Sequence, residues 1–361
     1  MKMSVYSTKS GLAIVLILCI SISCISERNA QRINTINLQG HPVKLQDDIS
    51  VNSMVYINDT LMIFKSFSNV DKLCAIKYNT KNDTSFYFLR KGKGPCEVIN
   101  SRYKVIEDTL IILSYNSATI DKMIKVSLGS LQNEALWKIT NINLTNNLRF
   151  GQCFDISVEG DIYIVGGSWG DKCIISKISN DLVRIAPVDY WPKDEYSGSV
   201  IPKQMVYTSK AYIYNSGEKL FYSSGEGRFA CIINMNNRIE TDIYSIMPEY
   251  NESEDHLNYD RKSTSYLGIQ AFATDKYIYL SFNDTKMIGQ NYHPSDYKGY
   301  PPYYNDKIEV YNWDGNYICT YQTECPFQYF YVTDHDTTIY TLGDNINTGM
   351  STVFRHAIDI H

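Results

Sequence analysis

A short pattern returns six times along this chain: a polar turn of Asp, Asn, Gly or Glu, then a run in which apolar side chains alternate. The copies are INDTLMIF (57–64), IEDTLIIL (106–113), VEGDIYIV (158–165), NSGEKLFYS (215–223), ATDKYIYLS (273–281) and DHDTTIYTL (334–342). Taking Asp59, Asp108, Gly160, Gly217, Asp275 and Asp336 as markers, the steps are 49, 52, 57, 58 and 61 residues. Asn, Asp and Gly accept the backbone angles of tight hairpin turns, and β-branched and aromatic residues suit the flanking strands. A second hairpin follows most copies, as in LCAIKYNTKNDTSFYFL (73–89), KCIISKISNDLVRI (172–185), ACIINMNNRIETDIY (230–244) and KIEVYNWDGNYICTY (307–321). Each unit thus reads as about four antiparallel strands. Beyond the first twenty-four residues, no stretch shows the i, i+3, i+4, i+7 apolar spacing of an amphipathic helix.

Six such units predict an all-β fold, a six-bladed β-propeller with four antiparallel strands per blade. One four-stranded sheet cannot bury both of its faces alone. Packing it between two neighbours buries both, and closing the ring removes the end repeats. The last unit, 327–361, holds only about three strands. The segment INTINL (33–38) is expected to supply the fourth, so that an N-terminal strand closes the ring. A pair of β-sandwich domains is the alternative, but the regular spacing, without a linker, argues against it.

The chain opens on a different signal. Met1 to Ser10 carries Lys2 and Lys9 and no acid; GLAIVLILCI (11–20) is wholly apolar; Ser21, Ile22 and Ser23 precede Cys24. A basic start, a short apolar core and small residues before a cut describe an export signal, too short for a comfortable membrane span. The ending resembles a bacterial lipobox, which implies that Cys24 receives the lipid and becomes the first residue. Cleavage near Ala30, with Cys24 discarded, is the alternative. The expected organisation is a lipoprotein signal peptide (1–23), a lipidated tether (24–32) and the propeller (33–361). The expected location is the cell envelope, lipid-anchored, on the outer membrane.

Composition excludes other classes. With 44% hydrophobic residues the chain is not disordered, and a net charge of −5 argues against nucleic acid as a partner. The one spaced basic group, Arg90, Lys91 and Lys93, reads as a solvated loop. Nine Cys occur and none form C-x-x-C, which argues against a zinc knuckle or a thioredoxin-like site. Cys74, Cys173 and Cys231 occupy similar contexts and are expected to face inward. Cys319 and Cys325 are the one pair close enough in sequence to suggest a bridge.

The segment RKGKGPCEV (90–98) after the first hairpin, and NWDGNYI (312–318) in the fifth unit, add a resemblance. Together with the lipobox they resemble the TolB-like six-bladed β-propeller lipoproteins of Bacteroidota, with Cys96 and Val98 at positions where that family usually has Gly and an aromatic. The resemblance implies an exported, lipid-anchored propeller and assigns no activity. The Gly92-x-Gly94 run lacks the Lys-Ser/Thr and the following helix of a phosphate loop.

Catalytic patterns are sparse. There is no H-E-x-x-H and no G-x-S-x-G, and the acidic segment NESEDHLNYD (251–260), with His256, lacks the Gly turn of a calcium loop. No metal or cofactor is expected. Two long insertions stand out instead, VDYWPKDEYSGSVIPKQ (188–204) and MIGQNYHPSDYKGYPPYYNDK (287–307). The second carries Tyr292, Tyr297, Tyr300, Tyr303 and Tyr304, and the first carries Trp191. Aromatic rings with polar tips are good platforms for sugars and peptides. These six residues are the expected ligand-binding set, in a non-catalytic binding or scaffolding module for glycan or peptide ligands. A propeller enzyme acting on a polysaccharide, and a purely protein-binding envelope subunit, are the alternatives.

Overall fold

The computed structural model describes residues 34–43, 51–67, 70–78, 83–116, 119–144, 149–167, 172–225, 229–245, 269–282, 304–333, 335–344 and 351–360. Two short strands come first, β1 (Thr35–Leu38) and β2 (His41–Val43). Blade one is β3 (Val51–Ile57), β4 (Leu61–Ser66), β5 (Asp71–Lys77) and β6 (Thr84–Arg90). Blade two is β7 (Asn100–Ile106), β8 (Thr109–Asn116), β9 (Thr119–Ser127) and β10 (Lys138–Asn141). Blade three is β11 (Arg149–Ile156), β12 (Ile162–Gly167), β13 (Ile175–Ile178) and β14 (Ile185–Pro187). A helix, α1 (Val200–Thr208), precedes blade four, which is β15 (Ala211–Asn215), β16 (Lys219–Ser224), β17 (Phe229–Asn234) and β18 (Glu240–Ser245). Blade five is β19 (Ile269–Ala273), β20 (Tyr277–Phe282), β21 (Asn305–Asn312) and β22 (Tyr317–Phe327). Blade six is β23 (Tyr329–Val332), β24 (Thr338–Asp344) and β25 (Ser351–Ala357), with β2 as its outer strand.

The first strand of each blade is innermost. β3, β7, β11, β15, β19 and β23 each neighbour the next, and β23 returns to β3, so the six-bladed ring is closed. Second strands are the most deeply packed because each lies mid-blade with a neighbouring blade on both sides. All six residues of β12 are buried, as are Leu61–Phe64 of β4. The recurrent polar turn sits between first and second strands. Gly160 and Gly217 occupy it with φ of 88° and 92°, a region where a Cβ is strained.

Ring closure differs from expectation in register. β1, the INTINL segment, pairs parallel with β22 as a fifth strand of blade five. The strand that completes blade six is β2, antiparallel to β25 with His41 opposite Arg355. Pro42 has no N–H, and β2 is an edge strand, where that loss is tolerated.

Two further expectations are corrected. The 188–204 insertion continues into α1, whose buried side chains include the polar Lys203 and Gln204, so no simple apolar stripe marks it. Cys319 and Cys325 are both free, with Cys319 buried in β22, so no bridge forms between them. Cys74, Cys173 and Cys231 are buried as expected; Cys74 and Cys231 lie on third strands, and Cys173 lies just before one.

Candidate functional site

Strand direction divides the propeller into two unlike rims. First strands run from one rim to the other, and the antiparallel pairing sends each next strand back. The rim reached by the ends of the first strands carries short Asn/Asp/Gly turns at 58–60, 107–108, 157–161, 216–218, 274–276 and 333–337. The rim where the first strands begin carries the connections between blades and those between second and third strands. These include 188–210, which holds α1; the strand ends at Ser245, Ile269, Phe282 and Asn305 also lie on this rim. Long connections are where binding residues concentrate on a rigid scaffold.

Alternating residues of the inner strands carry Arg102 and Lys104 on β7, Cys153 and Asp155 on β11, Tyr212 and Tyr214 on β15, and Gln270 and Phe272 on β19. Lys104 Nζ lies 3.2 Å from Asp155 Oδ1 and 4.4 Å from the centre of the Tyr214 ring. Asp155 is 2% exposed, and its Oδ2 accepts the Asn215 backbone N–H at 2.7 Å. The Tyr212 hydroxyl accepts the Ala273 N–H at 3.1 Å, and Gln270 Nε2 donates to the Gln328 carbonyl. Blades two to six are therefore stitched in sequence by polar contacts of their inner strands.

Burial sets the protonation of this cluster. It pulls the Lys104 ammonium down, but the Asp155 carboxylate and Tyr212 beside it more than compensate, so its pKa is raised. Burial pushes the Cys153 thiol and the Tyr212 phenol up to about 12, which leaves both protonated and the thiol unreactive. Lys104, ion-paired with Asp155, thus stays charged while Cys153 and Tyr212 stay neutral.

Nearer the rim of the long connections the balance changes. Arg102, early in β7, lies with Cζ 5.3 Å from the Tyr115 ring centre and donates to the Ser101 carbonyl at 3.1 Å. Lys65, late in β4, lies with Nζ 6.0 Å from the Tyr103 ring centre. Burial, and then Arg102, lower Lys65 to a pKa of about 8. Neither cation has a carboxylate partner among the described residues. Arg90, Lys91 and Lys93, in the connection from blade one to blade two, lie on this same rim. Among the described residues no group of three or more His, Cys, Asp or Glu side chains is placed to hold a metal ion.

Of the expected aromatic set, Tyr304 and Trp191 lie among the described residues. Tyr292, Tyr297, Tyr300 and Tyr303, like Cys24 and His256, lie outside the described residues. Tyr304 is 8% exposed and leads into β21, so the expectation of a ring open to ligand fails there. Trp191 is half-buried against the core between blades three and four. Its ring lies 5.4 Å from Lys203 Nζ, which is ion-paired with Asp194; Tyr207 Oη donates to Asp194 Oδ2 at 3.1 Å. Both members of that pair are nearly inaccessible, at 6% and 4% side-chain exposure. Trp191 and Tyr207 shield the pair and fasten the insertion to the blades. The channel cluster was missed because the repeat was read from its turn onward. Its signal lay just upstream, in charged residues at alternate positions of RYKVIEDT and QCFDISVEG, where other copies have aromatics.

No protein-family model matches the chain, and no curated protein matches it in sequence. Solved structures do share its fold. A member of the DUF4221 family from Bacteroides vulgatus aligns with a TM-score of 0.58 at 12% identity, covering 88% of this chain and 97% of that one. A putative exported protein from Bacteroides fragilis aligns with a TM-score of 0.51 at 12% identity, covering 90% of this chain and 99% of that one. At that identity the likeness is one of architecture: the chain is a six-bladed β-propeller, similar in fold to an exported Bacteroides protein.

Proposed function

We propose that this protein is a non-catalytic binding module of the cell envelope, a lipoprotein of the TolB-like kind, held on the outer membrane through Cys24. It takes a glycan or peptide ligand on the rim of the long connections. The observation that carries this reading is the coincidence of three features on one rim. Lys65 and Arg102, which have no carboxylate partner among the described residues, lie toward that rim, the insertion bearing Trp191 is fastened there, and the strand ends flanking the Tyr-rich segment emerge there. The similar exported Bacteroides protein supports the address. Tyr297, Tyr300 and Tyr303 would stack against the ligand, at about 1 kcal/mol per ring.

The full chain should bind members of a glycan or peptide array. Joint replacement of Tyr297, Tyr300 and Tyr303 by Ala should weaken that binding by one to two orders of magnitude at about 1 kcal/mol per ring, with little change in melting temperature. A marked loss of stability with unchanged binding would overturn the reading. Cys24→Ala should leave the protein uncleaved or soluble, and normal membrane retention of that variant would refute the anchor.

A further inference from the structure

We infer that the Asp336 carboxyl is a pH-sensitive latch between blades five and six, which holds the joint as the neutral acid and weakens it as the carboxylate. The latch lies among the tight turns, apart from the rim proposed to take ligand, and does not depend on that reading.

The joint is built from Asp336, Tyr279 and Thr274. Asp336 sits in the turn between β23 and β24 of blade six with φ of 54°, and its side chain reaches blade five. Its Oδ1 accepts the Tyr279 hydroxyl of β20 at 2.7 Å and the Thr274 hydroxyl, from the turn between β19 and β20, at 2.8 Å. Exposure is 6% at Asp336, 4% at Thr274 and 0% at Tyr279, so the contact belongs to the packed interface. The Thr274 end is anchored as well. Its Oγ1 accepts the Tyr277 N–H at 3.1 Å, and its carbonyl accepts Trp313 Nε1 at 3.1 Å.

Hydroxyls alone are weak support for a buried charge. Among the described residues no ion pair includes Asp336, and its Oδ2 has no hydrogen-bond partner. The charged groups facing it stand on the turn between β19 and β20. Lys276 is exposed there, and Asp275 accepts the Tyr214 hydroxyl of blade four at 2.8 Å. His335, in the same turn as Asp336, is exposed. Burial raises the Asp336 pKa above the ordinary 3.8 and Asp275 adds to the rise, outweighing Tyr279, Thr274 and Lys276, which act the other way. With the proton on Oδ2, Oδ1 still accepts both hydroxyls, so the neutral form leaves the joint intact.

The folded chain therefore holds this proton more tightly than the unfolded one. The contribution to stability is complete below pH 3.8, is lost as the pH rises through the folded-state midpoint, and is constant beyond it. His356, on β25 of the same blade, titrates in the opposite sense, so the test compares variants rather than raw profiles.

The test is urea unfolding of the full chain, as wild type and Asp336→Asn, from about pH 4 to about pH 8. Asn keeps an acceptor for both hydroxyls and cannot ionise. The folding constant of wild type relative to the variant should fall as the pH rises, tenfold for each unit by which the midpoint exceeds 3.8. Carboxyl 13C shifts of the 13C-aspartate-labelled wild type measure that midpoint directly. Tyr279→Phe removes a donor to the carboxylate and should move the midpoint higher, which also assigns the resonance.

A relative folding constant that is flat or rises with pH overturns the inference. So does the absence of an aspartate that titrates above 3.8 and moves with Tyr279→Phe. If Asp336→Asn does not fold, the labelled wild type and Tyr279→Phe decide the question on their own.

Discussion

Gly40 lies against the His356 imidazole: a Cβ on Gly40 would stand 2.8 Å from the ring Cε1. Gly40 lies in the two-residue link between β1 and β2, and His356 is a buried residue of β25. The two halves of the ring closure therefore meet at a point with no room for a side chain. His356 cannot easily yield, because its Nε2 is 2.9 Å from Thr341 Oγ1. Gly40→Ala is expected to destabilise the fold by about 1–3 kcal/mol, as overpacking does. Chemical denaturation should show this as a lower midpoint with an unchanged slope.

The same contact makes closure sensitive to acid. Burial, with His41 nearby, lowers His356 to a pKa of about 4. The folded state resists protonation that the unfolded chain accepts near 6.5. Its stabilising contribution is therefore complete above pH 6.5 and is lost as the pH falls through 4. Between pH 7.5 and 4, wild type should lose roughly 2–3 kcal/mol more than His356→Gln. Parallel urea titrations of the two proteins would check this; identical pH profiles would refute it.

Lys65 should behave in the opposite sense to an ordinary stabilising cation. Its folded pKa of about 8 is below the 10.5 of the free side chain, so charging it opposes folding. That penalty is absent above about pH 10.5, grows as the pH falls, and is complete below 8. In a buffer without multivalent anions, Lys65→Met is expected to raise the melting temperature at pH 7, with the gain fading toward pH 10. Melting curves at several pH values would reveal it, and a destabilised variant at pH 7 would contradict it.

The Lys104–Asp155 pair should be costly to break from one side. Asp155→Ala strands the ammonium and removes the acceptor for the Asn215 N–H. A loss of about 2–4 kcal/mol is expected, below the value for a fully dry pair because Lys104 keeps 22% side-chain exposure. Lys104→Met added to Asp155→Ala should recover part of it, and a double-mutant cycle by thermal denaturation would measure the coupling.

The sequence made the blades legible because the turn chemistry is local. The markers Gly160, Gly217 and Asp336 have positive φ, at 88°, 92° and 54°, which Gly and Asp tolerate. The closing register was hidden because pairing at the seam is non-local: β2 has three residues and a Pro, while INTINL has the better strand pattern. α1 was hidden because its buried residues include Lys203 and Gln204, whose partners, Asp194 and the Cys173 carbonyl, lie outside the helix. Trp191 was visible as an exceptional residue, but its role depends on Lys203, twelve positions away. Lys65 meets the Tyr103 ring only when blades one and two are placed side by side.

The direction of β1 bears on posture. Thr35 lies opposite Thr320 and Leu38 opposite Thr323, with both strands running toward the rim of the long connections. Asn34 therefore leaves the propeller beside the opposite rim, at the edge of blade five. From Asn34 back to Cys24 is ten residues, which reach about 35 Å at most. A chain tethered by a lipid on Cys24 would rest with its tight turns toward the bilayer, like a bowl on a short stalk. The bowl would open away from the membrane, so its ligands would arrive from the aqueous side rather than from among the lipids beneath it.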